Sequence, residues 1–402
     1  MKLLSLKLLI LILKIISFQI SIKFRTPKNI KIIVFDAMSL AQIHSVIGKQ
    51  KYFVLSAGIK NITEIYINLN IIKKILKYLK KGFSIAYNLS LIETIQPKLI
   101  VTAIDNSKLF HNITRNIHDK IPTLAIQLSS RPEIKKNNLF FKKKITKINI
   151  NKKIFLDTFF SISQYEIDFY KKNNIYIKKG LVAGSLTLAN AVMNIKKTKI
   201  LLKKNKFDIC IISDGFTTKH DKSYGVPGWE LSTANYLKNL IKIIKKNNLK
   251  FIFCLKRKSK KYIEKEMNFY KKYLEKDEIK FLLLQSASRK EKETISPTYS
   301  HMLESNLVIS VWSTLLRENM QLGRKSLCVE TDPNGVYTFP LKGICRISEP
   351  NFKNLEKRVL YLLSITNKEY FFLIKKKLDH VIFPFYGNTI KIISNYIKKC
   401  CS

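Results

Sequence analysis

The feature that most limits how this chain can fold is an alternation: short apolar runs, each followed by a longer stretch with helical spacing. Ile30–Phe35, Tyr52–Leu55, Leu99–Ile104, Thr123–Ile126, Ile154–Phe160 and Tyr176–Val182 read as strands, and stretches such as Ile67–Lys80 and Gln164–Lys172 read as helices between them. Alternation of this kind predicts βαβ units and a parallel sheet. The pattern then restarts. Phe207–Ser213, Lys250–Leu255, Ile279–Leu284, Leu307–Val311 and Ser326–Val329 read as strands; Leu231–Lys246, Lys260–Leu274 and a stretch from Leu315 read as helices. The expected fold is therefore α/β, with two Rossmann-like, doubly wound domains in tandem. Their cleft would lie at the carboxyl ends of the strands, where open α/β sheets bind ligands. A length of 402 residues suits two domains better than one core. The predicted division is an amphipathic helix over residues 1–26, a first domain over 27–195, a second over 196–350 and helices over 351–402. Thr187–Lys206 would form the junction.

Charge is the next constraint. The chain carries 73 Lys+Arg against 28 Asp+Glu, a formal net charge of +45. A concentrated basic face would point to nucleic acid or an anionic membrane. Here the lysines are scattered through many segments, with no zinc-finger or helix-turn-helix signature. Lys, Ile and Asn dominate throughout, as an AT-rich genome would make them. Nucleic acid is not an expected partner; an anionic membrane surface or a phosphate-bearing substrate is. The 6 cysteines show no CxxC and no zinc spacing, which favours a reducing compartment. Cys210, Cys254 and Cys328 lie inside apolar runs, where free Cys behaves as a small hydrophobe.

Residues 1–24 are apolar but interrupted by Lys7 and Lys14, so no unbroken run of about 18 apolar residues exists. No small-residue cleavage site follows. The two lysines are seven apart and share one helix face. An amphipathic helix results, packed on the domain or lying in a bilayer interface; a membrane anchor and a signal peptide are the other readings. The expected address is the cytoplasm, with peripheral attachment at the inner face of the cytoplasmic membrane. Nothing in the sequence specifies an oligomeric state.

The strongest local signal for chemistry runs from Ser305 to Val329 and reads as strand, Ser-Thr loop, helix, Gly stop, strand. Ser313 or Thr314 can cap that helix, leaving free backbone N–H groups suited to a phosphate oxygen. Glu318 lies four residues beyond Thr314, where a carboxylate can accept both hydroxyls of a ribose. An ordinary capped helix with a surface Glu gives the same pattern. Ser213-Asp214-Gly215 ends the second half's first strand in a Gly-containing turn that lets backbone approach a phosphate. Asp105-Asn106 ends a strand of the first half; an acid there can serve as general base, or simply as a helix or turn cap. Gln127 to Arg131 form a donor-rich loop, and Gly184-Ser185 end another strand near the junction. Arg257 follows a strand and can meet a diphosphate. Tyr299 precedes the Ser305 strand, and Tyr224, Gly228 and Trp229 lie in a loop placed to cover the same cleft.

Absences narrow the chemistry. Neither GxGxxG nor GxxxxGK[ST] occurs, which removes support for dehydrogenase and P-loop readings. No Asp-x-Asp triplet exists, so a divalent metal is not indicated. The 6 histidines are dispersed, and no GxSxG elbow is present.

Taken together these motifs resemble the bacterial surface carbohydrate biosynthesis proteins. The likeness rests on Val34-Phe35-Asp36, Ile104-Asp105-Asn106, Ile126 to Arg131, Gly184-Ser185-Leu186, and a block comprising Tyr299, Ser305 to Ile309, Ser313 to Glu318, Gly323 and Lys325. It spans most of residues 28 to 350, and the last block is the most specific. The family's Asn-Gly after Gln127 is Leu128-Ser129 here, a departure on the acceptor side. More distantly the family is similar to two-domain transferases of the GT-B fold. The resemblance implies a nucleotide donor held by the second domain at Ser213, Asp214, Gly215, Arg257, Tyr299, Ser313, Thr314, Arg317 and Glu318. It implies an acceptor held by the first at Asn106, Gln127, Arg131, Gly184 and Ser185, with Asp105 catalytic. The implied activity is a metal-independent glycosyltransferase with a nucleotide-sugar co-substrate, a glycan acceptor and no cofactor. Competing readings are a UDP-sugar 2-epimerase-like or polyol-phosphate transfer reaction on the same fold, and a non-catalytic membrane-associated assembly factor.

Overall fold

Strand order in both sheets creates a crevice beside the first strand. The computed structural model describes residues 21–37, 40–55, 64–131, 133–134, 154–173, 175–197, 205–256, 260–284, 286–287, 297–335, 337–348, 350–376 and 378–402. In the first half, β1 (Ile32–Phe35), β2 (Tyr52–Leu55), β3 (Leu99–Thr102), β4 (Thr123–Ile126), β5 (Ile154–Ser161) and β6 (Ile175–Val182) form one sheet. Its order is β2-β1-β3-β4-β5-β6, and every neighbouring pair is parallel. In the second half, β7 (Phe207–Ile212), β8 (Phe251–Cys254), β9 (Ser286–Ala287), β10 (Ser305–Ser310), β11 (Ser326–Val329) and β12 (Arg346–Ile347) form another. Its order, β9-β8-β7-β10-β11-β12, is also all parallel. In each sheet the winding reverses beside the first strand, the position where doubly wound folds open a binding crevice.

The strands form where they do because their residues suit burial on both faces. All four positions of β1, β3, β4, β8 and β11 are buried. Helix-covered parallel strands read as such continuous apolar runs rather than as alternation. The helices that matter below are α1 (Leu69–Tyr78), α2 (Phe83–Ile95), α3 (Gln164–Lys172), α4 (Leu186–Lys197), α5 (Trp229–Lys246), α6 (Lys260–Tyr273), α7 (Thr314–Gln321) and α8 (Thr389–Cys401). On one face of the first sheet, Ile33, Phe35 and Ile100 pack with Leu89 and Ile92 of α2. On the other, Ile32, Val34, Leu99 and Val101 pack with Ile393, Ile397 and Cys401. Those three residues recur every fourth position of α8 and so lie on one helix face. The last helix of the chain thus covers the first sheet. Thr389 Oγ1 donates to the carbonyl of Ala183 (2.7 Å), and Ser394 Oγ to that of Val46 (2.9 Å).

Two expectations need correction. Ile279–Leu284 is not a strand: Lys276–Leu284 is a helix, and the neighbouring edge strand is β9. A short apolar run cannot be told from a buried helix segment by periodicity. Asp277 and Glu278 in the first turn complement the helix dipole, and Phe281 stacks on Phe251 with centroids 5.0 Å apart. The amphipathic helix over residues 1–26 falls mostly outside the described residues. Its end does not continue as helix, because Ser21–Lys23 is a strand paired in parallel with Glu64–Tyr66. Within the expected junction, residues 187–197 belong to helix α4. Among the described residues no helix is long and apolar enough to cross a membrane.

Ile393 is fully buried between α8 and the first sheet. Ile393→Ala should lower the unfolding free energy by about 2–4 kcal/mol through lost transfer energy and cavity formation. Urea titration followed by circular dichroism measures it.

Candidate functional site

One cavity lies between the second half's crevice and the loop that follows β4 of the first half. It has a volume of about 400 Å³ and is lined from the first half by Ser129, Ser130 and Arg131, and from the second by Ser213, Asp214, Lys256, Thr298, Trp312, Ser313 and Thr314, among others.

The second half's crevice is braced by Asp214. Its Oδ2 accepts from Ser310 Oγ (2.7 Å) and from the backbone N–H of Val311 (2.9 Å), tying the end of β7 to the end of β10. Burial pushes this carboxyl above the usual carboxylate range, while the charge of Lys256 and these hydrogen bonds pull it down. Gly215 has φ +67°, and a Cβ there would sit 2.9 Å from Lys256 Cδ. The missing side chain lets Lys256 fold over the turn, where its Nζ donates to the Asp214 carbonyl (2.8 Å). Ser213 Oγ donates to Glu266 Oε1 and lies 2.9 Å from Tyr270 OH, both residues of α6.

Helix α7 begins at the cavity wall. Ser313 is its N-cap, with φ −60°, ψ 140° and its Oγ accepting from Leu315 N. Thr314 Oγ1 accepts from Ser130 N (3.1 Å), which brings the donor-rich loop of the first half against the start of α7. The rest of the helix is enclosed: Arg317, Glu318, Asn319 and Gln321 are all buried. Arg317 pairs with Glu166 of α3 and donates to Ser163 Oγ (2.7 Å) and the carbonyl of Val381 (2.8 Å). Its guanidinium is committed to joining the halves rather than to the cavity. Glu318 accepts from Ser185 Oγ on one oxygen and from Tyr299 OH (2.7 Å) on the other. Burial pushes its carboxyl above the usual range, opposed by those two hydroxyls and the Arg317 charge. A ribose would have to displace Ser185 or Tyr299 to reach it.

The first half presents a second network. Arg131 Nη2 reaches both oxygens of Asp105 (3.1 and 2.9 Å), and Tyr170 OH donates to the same carboxylate. Asp105 is buried behind Arg131, so it holds the guanidinium beside the cavity rather than facing the cavity itself. Gln127 donates to Glu166 (2.8 Å) and accepts from Ile162 N (3.1 Å). Arg131 N also donates to Glu166 (3.1 Å). Asn106 is exposed. Gly184, φ +83°, approaches Phe383 and Thr389 of the returning tail, where a Cβ would lie 3.1–3.2 Å away. Its small size serves packing against that tail. Arg257 lies outside the described residues.

Of the residues singled out in the sequence, Ser213, Asp214, Ser313, Thr314 and Arg131 line the cavity. Of the residues expected to cover the cleft, Tyr224 packs edge-on to the cavity residue Trp312, with centroids 5.5 Å apart, whereas Trp229 is interior. Trp229 is the first residue of α5 and is buried, stacked on Tyr337 and edge-on to Trp312, with ring centroids 5.1 Å apart in each case. Glu166, Glu266 and Lys256 carry much of the network and escape sequence reading. Glu166 stands in the first turn of α3, where an acid has an ordinary dipole role. Among the described residues no group of three His, Cys, Asp or Glu side chains is arranged to hold a metal ion.

The architecture defines a GT-B-like class of fold: two Rossmann-type sheets with the cavity between their carboxyl edges. No family model matches the chain, and no curated protein matches it. Solved structures do. UDP-GlcNAc 2-epimerase from Neisseria meningitidis, bound to UDP-GlcNAc, superposes with a TM-score of 0.51 at 14% identity, covering 94% of this chain and 100% of its own. The wall teichoic acid polymerase TagF gives 0.51 at 10% identity, over 92% and 89% of the two chains. UDP-N-acetylglucosamine 2-epimerase from Rickettsia bellii gives 0.50 at 15%, over 95% and 96%. At these identities the likeness is one of fold.

Two predictions follow from the networks. Glu166→Ala leaves the buried Arg317 guanidinium unpaired and should cost about 3–5 kcal/mol in urea unfolding. The double change Glu166→Gln with Arg317→Met should cost less than Glu166→Ala alone. The second concerns His220, buried against Phe216 and Tyr224 with centroids 3.8 and 4.4 Å away. Burial, helped by the Lys256 charge, lowers its pKa from 6.5 to about 3. Between those values the unfolded chain binds the proton and the folded one does not. The stability from a neutral His220 is therefore present above pH 6.5 and lost as pH falls towards 3. His220→Phe should flatten the rise of thermal stability with pH over that window.

Proposed function

We propose that the chain is an enzyme of surface carbohydrate biosynthesis that transfers a glycosyl group from a nucleotide-sugar to a glycan acceptor. The observation that carries this reading is the meeting of an open helix N-terminus and two cations on one cavity. Ser313 and Thr314 present the start of α7, and Lys256 and Arg131 line the same cavity. A helix start with its free N–H groups and positive dipole end suits a diphosphate. Preorganised cations there stabilise the charge that develops as a diphosphate leaves. In the transfer, the bond between the anomeric carbon and the diphosphate oxygen breaks, with its electron pair leaving on the diphosphate. A bond forms to the acceptor hydroxyl oxygen, which gives up its proton to a base. The two halves contribute by holding donor and acceptor in line.

Trp312, fixed edge-on by Trp229, supplies a flat wall for a base or sugar ring. Asp105 enters as the group that orients Arg131. Glu318 would exchange a protein hydroxyl for a ribose hydroxyl when the donor binds. The nucleotide-sugar acts as a co-substrate in this reading. A 2-epimerase-like reaction is the second reading, favoured by the full-length superposition on UDP-GlcNAc 2-epimerases.

Calorimetry with a panel of UDP-, CDP-, GDP- and TDP-sugars tests the binding claim. One class should bind, and Lys256→Ala should weaken it by about tenfold through loss of a charge-assisted phosphate contact. Absence of binding by every member would sink the proposal. Product analysis without an acceptor separates the readings: epimerisation proceeds alone, transfer does not.

A further inference from the structure

The first half carries an apolar face that the described residues leave uncovered. Along α1 and the turn that follows it, only Ile71 is buried. Leu69, Ile72, Leu76 and Leu79 are exposed, Leu69 by 78% and Leu76 by 67%. Their spacing of three, four and three residues places them on one helix face. Phe83, the first residue of α2, extends the stripe and is also exposed. Phe24 adds to it, being 73% exposed. The Asn68 amide donates to the Phe24 carbonyl (3.3 Å), which fixes Phe24 beside the start of α1. Isolated exposed apolar residues are normal, whereas a contiguous patch marks an interaction site.

The charges around this stripe decide what fits it. Arg25, Lys73, Lys77 and Lys80 are exposed on the same elements. Two acids lie close by. Glu64 is exposed and 4.0 Å from Lys23, and Glu93 sits 3.9 Å from Lys77 with Tyr78 OH on the same carboxylate. The balance is cationic. A helix lying in a bilayer interface has this design: bulky apolar residues on one face, lysines along its borders, and no length requirement for spanning. Lysine near an anionic surface adds attraction that salt screens.

We infer that α1, the following turn, Phe83 and Phe24 form a docking surface for an anionic lipid bilayer. The surface is independent of the nucleotide cavity and stands whether or not the proposed reaction is right.

Flotation of the full chain with phosphatidylcholine vesicles, with and without about one-third phosphatidylglycerol, is the test. The full chain should float with the anionic vesicles and bind them at least about tenfold better than neutral ones, losing binding as salt rises towards about 0.5 M. Leu76→Glu with Leu79→Glu should reduce that binding by about tenfold or more with no fall in melting temperature, since both side chains face solvent. Nucleotide-sugar binding should be untouched. Three outcomes would overturn the inference. Binding unchanged in the double variant would assign membrane contact elsewhere, to residues 1–20 for example. A drop in melting temperature with unchanged flotation would mean the face is covered by the chain's own N-terminal residues. A shift from dimer to monomer in sedimentation, with unchanged flotation, would make it a contact between copies.

Discussion

The buried ion pair between Arg317 and Glu166 is the contact on which the arrangement of the two halves depends. Removing two charges from water is costly unless each is paired and its remaining valences are satisfied. Here Arg317 is also held by Ser163 and Val381, and Glu166 by Gln127 and the backbone of Arg131. The pair therefore joins α7 of the second half, α3 and the cavity loop of the first, and the tail in one network. Helix α7 is polar along much of its length, yet enclosed. It functions as a peg whose side chains are matched to the opposite half, while its first turn stays open at the cavity.

That division of labour within eight residues explains the site. The start of the helix turns its positive dipole end to the cavity, and the buried remainder prevents the start from moving. Asp214 does the same for the loops at β7 and β10, and Asp105 does it for Arg131. In each case a carboxylate inside the protein positions a group at the edge of the cavity. Asp214 holds its partners through Oδ2 and Asp105 through both oxygens, so each acid acts on the cavity through the groups it positions.

Much of the architecture was legible in the sequence because parallel strands covered on both sides are apolar at every position. Tyr52–Leu55, Thr123–Ile126 and Ser326–Val329 have the bounds their apolar runs suggest. Ile279 to Leu284 looked the same and folded as helix, because local pattern does not record which partner a run packs against. The cavity wall was legible at Ser313, Thr314 and Asp214, where caps and strand ends have sequence signatures. Glu166, Tyr170 and Glu266 were not. They sit inside amphipathic helices at positions that would suit solvent equally well, and only the approach of a second segment, distant in sequence, makes them interior. For Arg317 and Glu318 the spacing is visible in the sequence, but the burial is not.

The return of α8 to the first sheet has a mechanical consequence. The chain enters the second half once and comes back from it, so two covalent strands bridge the halves instead of one. A single connection acts as a swivel; two restrict relative motion to bending about the line that joins them. Opening of the cleft would then be a one-dimensional movement. The second half is in effect an insertion within the first, and a cut anywhere between residue 205 and the tail would separate the first sheet from the helix that covers it.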